Sequence, residues 1–371
     1  MDISITNEQS HFEMRIALTP PVVEGLIKKG NRVFIEKGAG EGSKFADQDF
    51  LNVGAQLTYS KEEALGRGEL VLMVSPVTSH ECKFLREGQV IMSFHHMAIQ
   101  NKEVFESLLK KKITTIGYEI IEESGGNLPV LVSMSEIAGQ LSILVAAHLL
   151  QNVNGGRGKL LGNSPGTSPP SVVILGAGVV GLSAARLAVG IGAHVTIIDN
   201  DMKNLRRADE LLQKRAMTWM SSRSRIDKAC RFADVLIGAV LVTGGRAPHI
   251  ISEKNVESMK KGAVIIDVAI DQGGCVETSR PTNLVQPTFE KHGVIHYCVP
   301  NMPAAVSRTA THSLANVINA YVHNITRLGI KEALKSDNSL ARGVYTYEGH
   351  CTKKIVADIF NTEFMQIEKL I

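Results

Sequence analysis

Three glycines, Gly176, Gly178 and Gly181, stand as G-x-G-x-x-G at the end of the apolar run Val172–Leu175. That spacing suits the binding of a pyrophosphate. The first glycine permits a tight turn, the second lets backbone approach the phosphates, and the third lets a helix pack closely on the strand before it. A helix is expected from about Val180 to Ile191, with its N-terminal N–H groups and positive dipole end facing the anion. A second strand, His194 to Ile198, ends in Asp199, eighteen residues after Gly181. A carboxylate there accepts hydrogen bonds from ribose hydroxyls and repels a 2′-phosphate, so the expected cofactor is NAD rather than NADP. Later strands are expected at Val235–Gly238 and Ala263–Val268. Open α/β sheets bind ligands beyond the carboxyl ends of their strands, so Val240, Leu241 and the Ala269-Ile270-Asp271 segment should line the same crevice.

The elements that must position these groups follow from pattern. Before residue 130 the chain alternates strands (Ile3–Ile5, Arg32–Glu36, Leu70–Val74, Val90–Phe94, Thr114–Tyr118) with helices (Thr19–Lys29, Lys61–Leu65, Lys102–Lys111). Strand and helix in rotation imply a parallel sheet covered by helices. A long helix is expected from Ser135 to Gln151. The Gly-, Ser- and Pro-rich stretch 152–170 reads as a loop joining two packed units. The second alternating block runs from Ser171 to about Pro303. Residues 304–371 read as mostly helical, with Thr309–Leu328 as a helix returning the chain to the first unit.

Composition removes other classes. The chain has 371 residues, enough for about two domains. A formal net charge of +3 gives no reason to expect nucleic acid or an anionic membrane. The longest basic run, Lys110-Lys111-Lys112, reads as the solvated end of a helix. The opening Met1-Asp2-Ile3-Ser4-Ile5 lacks a basic stretch followed by an apolar one, so no secretory signal is expected. No apolar run reaches the ~18 residues of a membrane span, since Ile137–Leu150 is short and carries Gln140 and His148. The five cysteines are dispersed and form no C-x-x-C pair, which argues against a disulfide framework or zinc site and for a reducing, cytoplasmic location.

Several segments then resemble one family, the alanine dehydrogenases, which is related to transhydrogenase nucleotide-binding subunits. Glu13-Met14-Arg15-Ile16-Ala17-Leu18-Thr19-Pro20 resembles its E-x-R-V-A-L-T-P, and Gly38-Ala39-Gly40-Glu41-Gly42-Ser43 its G-A-G-E-G-S. Met134-Ser135-Glu136-Ile137-Ala138-Gly139 is similar to M-S-E-V-A-G. The blocks Ile237–Val242, Asp267–Cys275 and Val299–Pro303 match almost letter for letter. The resemblance implies a two-domain α/β protein: a central Rossmann, doubly wound parallel sheet (137–305) inserted in a discontinuous α/β catalytic domain (1–136 and 306–371). It implies a homo-oligomer, usually a homohexamer. It also implies NAD-dependent interconversion of L-alanine with pyruvate and ammonium, with no metal. Arg15 would hold the substrate carboxylate, His96 would be the general acid/base, Asp271 the catalytic aspartate, Asn301 a substrate neighbour, and Ser135 a cofactor contact.

One family position differs. Where the family carries a substrate-binding lysine in K-V-K-E-P, this chain has Met73-Val74-Ser75-Pro76, and no lysine lies between Lys61 and Lys83. Ser75 can donate a hydrogen bond but brings no charge, and the family's N-terminal P-K-E becomes Thr6-Asn7-Glu8. Three alternatives therefore stand beside alanine dehydrogenation: a dehydrogenase or reductive aminase for another 2-oxo acid, a weakly active or inactive NAD-binding homologue, and a transhydrogenase subunit.

Overall fold

Each sheet of the molecule has inner strands that are apolar along nearly their whole length. Leu70, Val71 and Leu72 are all fully buried, as are Val172, Val173 and Ile174. Strands of that kind belong in parallel sheets with helices on both faces. The computed structural model describes residues 1–8, 12–240 and 247–371, and Leu241, expected at the crevice, lies outside them. The chain divides into two compact units, Met1–Met134 with Ala304–Ile371, and Ser135–Pro303.

The first unit holds an eight-stranded sheet. Across it the order is His350–Cys351, Val344–Tyr347, Thr114–Gly117, Val90–Ser93, Leu70–Leu72, Asp2–Ile5, Arg32–Glu36 and Gln56–Thr58. The six strands from the first half of the chain are parallel. The two from the C-terminal segment are antiparallel, and Val344–Tyr347 pairs with Thr114–Gly117. Pattern alone misses this pair: Val344–Tyr347 is only four residues long and lies among helices, so its strand character comes from the partner it pairs with. The helix Lys102–Lys110 shows how cover is built. Val104, Phe105 and Leu108 recur on one buried face, and the Asn101 side chain caps the start by accepting from the Glu103 N–H.

The second unit holds a seven-stranded sheet in the order Thr288–Lys291, Val294–Tyr297, Val264–Asp267, Val235–Gly238, Ser171–Leu175, His194–Asp199, Met217–Met220. All but the edge strand Thr288–Lys291 run parallel. The strand order reverses between Ser171–Leu175 and Val235–Gly238, which marks the ligand crevice of a doubly wound sheet.

The long helix runs Pro129–Leu149, starting at Pro129 rather than at Ser135, because proline is well placed in a first helical turn. The earlier start corrects one expectation. The helix is long and apolar enough, by length and composition, to cross a membrane. Its Ala138, Ile143, Ala146 and Leu149 instead pack into the core of the second unit.

Candidate active site

The glycine turn of the second unit is a cradle whose shape each glycine enforces. Gly176 has φ +99°, and a Cβ there would lie 2.4 Å from the Ala239 carbonyl oxygen. A Cβ on Gly181 would lie 1.9 Å from the Gly176 carbonyl oxygen, so only glycine lets the helix Val179–Gly190 sit this close to its strand. Gly178 caps that helix, and the space where its Cβ would point is open. A cradle closed beneath and open above, at the N-terminus of a twelve-residue helix, fits a pyrophosphate. Asp199 stands at the end of the neighbouring strand. Its carboxylate accepts the Ala177 N–H at 2.6 Å and the Asp201 N–H at 2.7 Å, so it also holds the glycine turn in place. Val180 lies in the first helical turn, Val240 just past its strand, and both are half-buried, as is Ser135 on the long helix. Ile270 is buried.

Beyond the strand Val264–Asp267 the chain winds into a short 3₁₀ turn, Val268–Gln272, carrying Ile270 and Asp271. Asp267 anchors the chain beyond that turn. Its carboxylate accepts the N–H groups of Cys275 (3.0 Å) and Val276 (3.2 Å), and burial pushes its pKa up despite those bonds. Asp271 is exposed and accepts the Asn301 N–H at 3.0 Å. Asn301 has φ +55°, a left-handed backbone that asparagine tolerates better than most residues. The structure thus brings together two residues thirty positions apart that the sequence had named separately.

In the first unit the candidate groups lie past the ends of four adjacent parallel strands. Glu8 follows Asp2–Ile5, Ser75 follows Leu70–Leu72, the pair His95-His96 follows Val90–Ser93, and Tyr118 and Glu119 follow Thr114–Gly117. Glu8 is buried. Its carboxylate accepts the Val74 and Ser75 N–H groups, each at 3.0 Å, and the Thr6 hydroxyl at 2.9 Å. No cation pairs with it among the described residues, and burial raises its pKa, more than these hydrogen bonds lower it. Ser75 is half-buried, and its backbone N–H donates to Glu8.

Arg15 is 4% exposed, and Glu13 clamps it through two bonds of 2.7 Å to Nε and Nη2. Its Nη1 reaches the Met134 sulfur at 3.3 Å, and its guanidinium lies 5.5 Å from the centre of the Phe94 ring. The glycine-rich segment after Arg32–Glu36 explains this placement. A Cβ on Gly42 would lie 2.7 Å from the Met14 carbonyl oxygen, to which the Ser43 hydroxyl donates at 2.8 Å.

The two histidines differ sharply. His95 is buried, bonds the Ile91 carbonyl through Nε2, and is kept neutral by desolvation, which lowers its pKa. His96 is exposed, has φ +45°, and stacks near-parallel on Phe94 with centroids 6.2 Å apart. Its backbone N–H donates to Glu119 Oε1 at 2.6 Å. Seven buried side-chain polar atoms lack a hydrogen-bond partner among the described residues. Four of them, Ser93 Oγ, His95 Nδ1, Tyr118 OH and Glu119 Oε2, cluster at this one end of the sheet. Unsatisfied groups are rare and costly, and their concentration here marks a place kept for something other than packing. Glu8, Phe94, Tyr118 and Glu119 were not singled out from sequence. Extending the strand-end rule from the second sheet to the first would have found them.

A doubly wound unit with a dinucleotide cradle, and a parallel-sheet unit that holds Arg15 and His96 about the Phe94 ring, define a protein of the nucleotide-dependent oxidoreductase kind. Comparison with known proteins sharpens this. The alanine dehydrogenase/PNT N-terminal domain matches residues 4–138 and the alanine dehydrogenase/PNT C-terminal domain residues 142–354. An alanine dehydrogenase of Methanococcus maripaludis is 41% identical over 100% of this chain and 99% of its own length. A solved L-alanine dehydrogenase superposes with TM-score 0.92 at 42% identity, covering 97% of this chain and 99% of that one. A transhydrogenase from Sinorhizobium meliloti, 22% identical with TM-score 0.80 and covering 95% and 99% of the two chains, shares the fold. The chain belongs to the alanine dehydrogenase/PNT family.

Proposed function

We propose that this protein is an NAD-dependent amino-acid dehydrogenase that interconverts L-alanine and water with pyruvate and ammonium. The observation that carries the reading is the Phe94 ring, which has Arg15 5.5 Å from its centre and His96 stacked on it. A carboxylate holder and a proton carrier share one rigid aromatic anchor. Arg15, oriented by Glu13, receives the substrate carboxylate on the guanidinium edge that Glu13 leaves. His96, exposed at the strand end, takes a proton from the water that adds to the imine carbon and returns one to the departing amine. Asp271 stabilises the cationic iminium and Asn301 lies beside it. Gly176, Gly178, Val180, Gly181, Asp199, Ser135, Val240, Leu241 and Ile270 hold the cofactor. The Asp199 carboxylate selects NAD over its 2′-phosphorylated relative. When bound, the dinucleotide supplies the acceptor for the hydride leaving the substrate carbon. A cytoplasmic homohexamer completes the proposal; the five cysteines, all free and buried, suit a reducing compartment.

Ser75 favours a second reading, a 2-oxo acid other than pyruvate, because it stands where the family places a lysine, beside the buried Glu8 carboxylate, which forms no ion pair among the described residues. NADH oxidation by the purified protein with ammonium and a panel of 2-oxo acids, beside Ser75→Lys, decides between them. Turnover on pyruvate by the natural chain supports alanine chemistry. Turnover only on another acid supports the second reading, and NADH binding without turnover on any acid leaves a binding protein.

A further inference from the structure

We propose that Glu119 and Tyr345 are positioning residues that aim His96, so that the C-terminal return of the chain is part of the catalytic apparatus. This rests on the reading of His96 as the acid/base. His96 sits in a left-handed backbone conformation that L-residues enter at a cost, so something must hold it there. The holder is Glu119, whose Oε1 accepts the His96 N–H at 2.6 Å. That same oxygen accepts the Tyr345 hydroxyl at 3.0 Å. Glu119 is 9% exposed, so the carboxylate is taken out of water and fixed between the two donors.

Tyr345 belongs to the strand Val344–Tyr347, far along the chain, which pairs with the strand preceding Glu119. The local packing is shaped around its ring. A Cβ on Gly117 would lie 2.4 Å from the Tyr345 ring, so glycine is required for the tyrosine to lie across the strand and reach Glu119. The buried His95 also meets the Tyr345 ring edge-on, centroids 6.3 Å apart, which fixes the ring from a second side. Glu119 Oε2 and His95 Nδ1 remain without partners among the described residues. The arrangement is therefore a clamp built on one carboxylate oxygen, with acceptor capacity in reserve.

The test uses Tyr345→Phe, Glu119→Ala, Glu119→Gln and His96→Gln in the full-length protein, with steady-state kinetics on the accepted 2-oxo acid. Small misplacements of a catalytic group cost up to about 10²-fold in rate. Tyr345→Phe is expected to lower kcat about 10-fold and Glu119→Ala about 10²-fold, with KM for NADH unchanged in both. Glu119→Gln keeps an acceptor oxygen and is expected to return to within about 3-fold of the natural kcat. If His96→Gln abolishes turnover while Tyr345→Phe and Glu119→Ala retain full kcat, the clamp is wrong and the acid/base reading survives. Full kcat in His96→Gln overturns that reading, and the inference with it. A readout independent of turnover is the His96 imidazole proton resonance, assigned by its loss in His96→Gln. It should move in Tyr345→Phe, and an unmoved resonance would overturn the proposal.

Discussion

At the scale of single residues, charge separates this chain from the pattern it otherwise follows. Glu8 is buried against two N–H groups and a hydroxyl, all neutral donors, and burial lifts its pKa. An ammonium at position 75 would meet this carboxylate and add a charged donor for substrate oxygen. Because Ser75 is only half-buried, a lysine there would keep contact with solvent. Ser75→Lys is therefore expected to raise kcat/KM for pyruvate by about 10²-fold, the worth of one well-placed donor. Steady-state NADH oxidation measures it, and an unchanged or lower value would show that the site has no use for a cation there. Ser75 stood out in sequence only through the family resemblance, against whose K-V-K-E-P the missing lysine shows. Glu8 did not stand out, since nothing in Thr6-Asn7-Glu8 says that a distant strand end will donate two N–H groups to it. The same holds for Glu119: its role depends on a partner, Tyr345, more than two hundred residues away.

At the scale of elements, the glycines carry the most testable geometry. The cradle was readable because its strand, turn and helix are contiguous, so local spacing determines their arrangement. Gly181→Ala puts a methyl group 1.9 Å from the Gly176 carbonyl oxygen, and a backbone atom cannot step aside cheaply. The helix must move off its strand. The expected result is a loss of dinucleotide affinity of at least about 10-fold, together with destabilisation of about 1–3 kcal/mol from overpacking. Fluorescence titration with NADH and thermal melting measure the two effects. Gly117→Ala tests the other unit. A methyl group 2.4 Å from the Tyr345 ring must push it away from Glu119, so kcat should fall as in Tyr345→Phe while NADH binding stays intact. Unlike the cradle, this contact was hidden from sequence. The strand Val344–Tyr347 is short, and its place in the sheet is fixed by pairing rather than by pattern.

At the scale of the whole molecule, each unit has its own sheet and core, and acid should find the weaker points of each. In the second unit the clearest is Asp234, 1% exposed, at the start of the strand Val235–Gly238. It accepts the Ser171 N–H at 3.0 Å and pairs with Lys159 (2.9 Å), Lys260 (3.0 Å) and Arg157 (3.1 Å). Burial pushes its pKa up, but Lys159, the Ser171 N–H and Lys260 together outweigh burial and hold it below its ordinary value of 3.8. A carboxylate depressed in this way stabilises the fold at every pH above its unfolded value. That contribution is lost as pH falls through the lower, folded value. Asp234→Asn should therefore cost about 1–3 kcal/mol at neutral pH, the worth of hydrogen bonds to a charged group. The cost stays moderate because the three cations it abandons are each about a third exposed and can regain water. Below pH 3.8 the gap between variant and natural chain should close. Urea unfolding followed at neutral pH and in acid measures both arms. A gap that persists unchanged below that point would mean that Asp234 serves by shape and hydrogen bonding alone, with its charge contributing nothing.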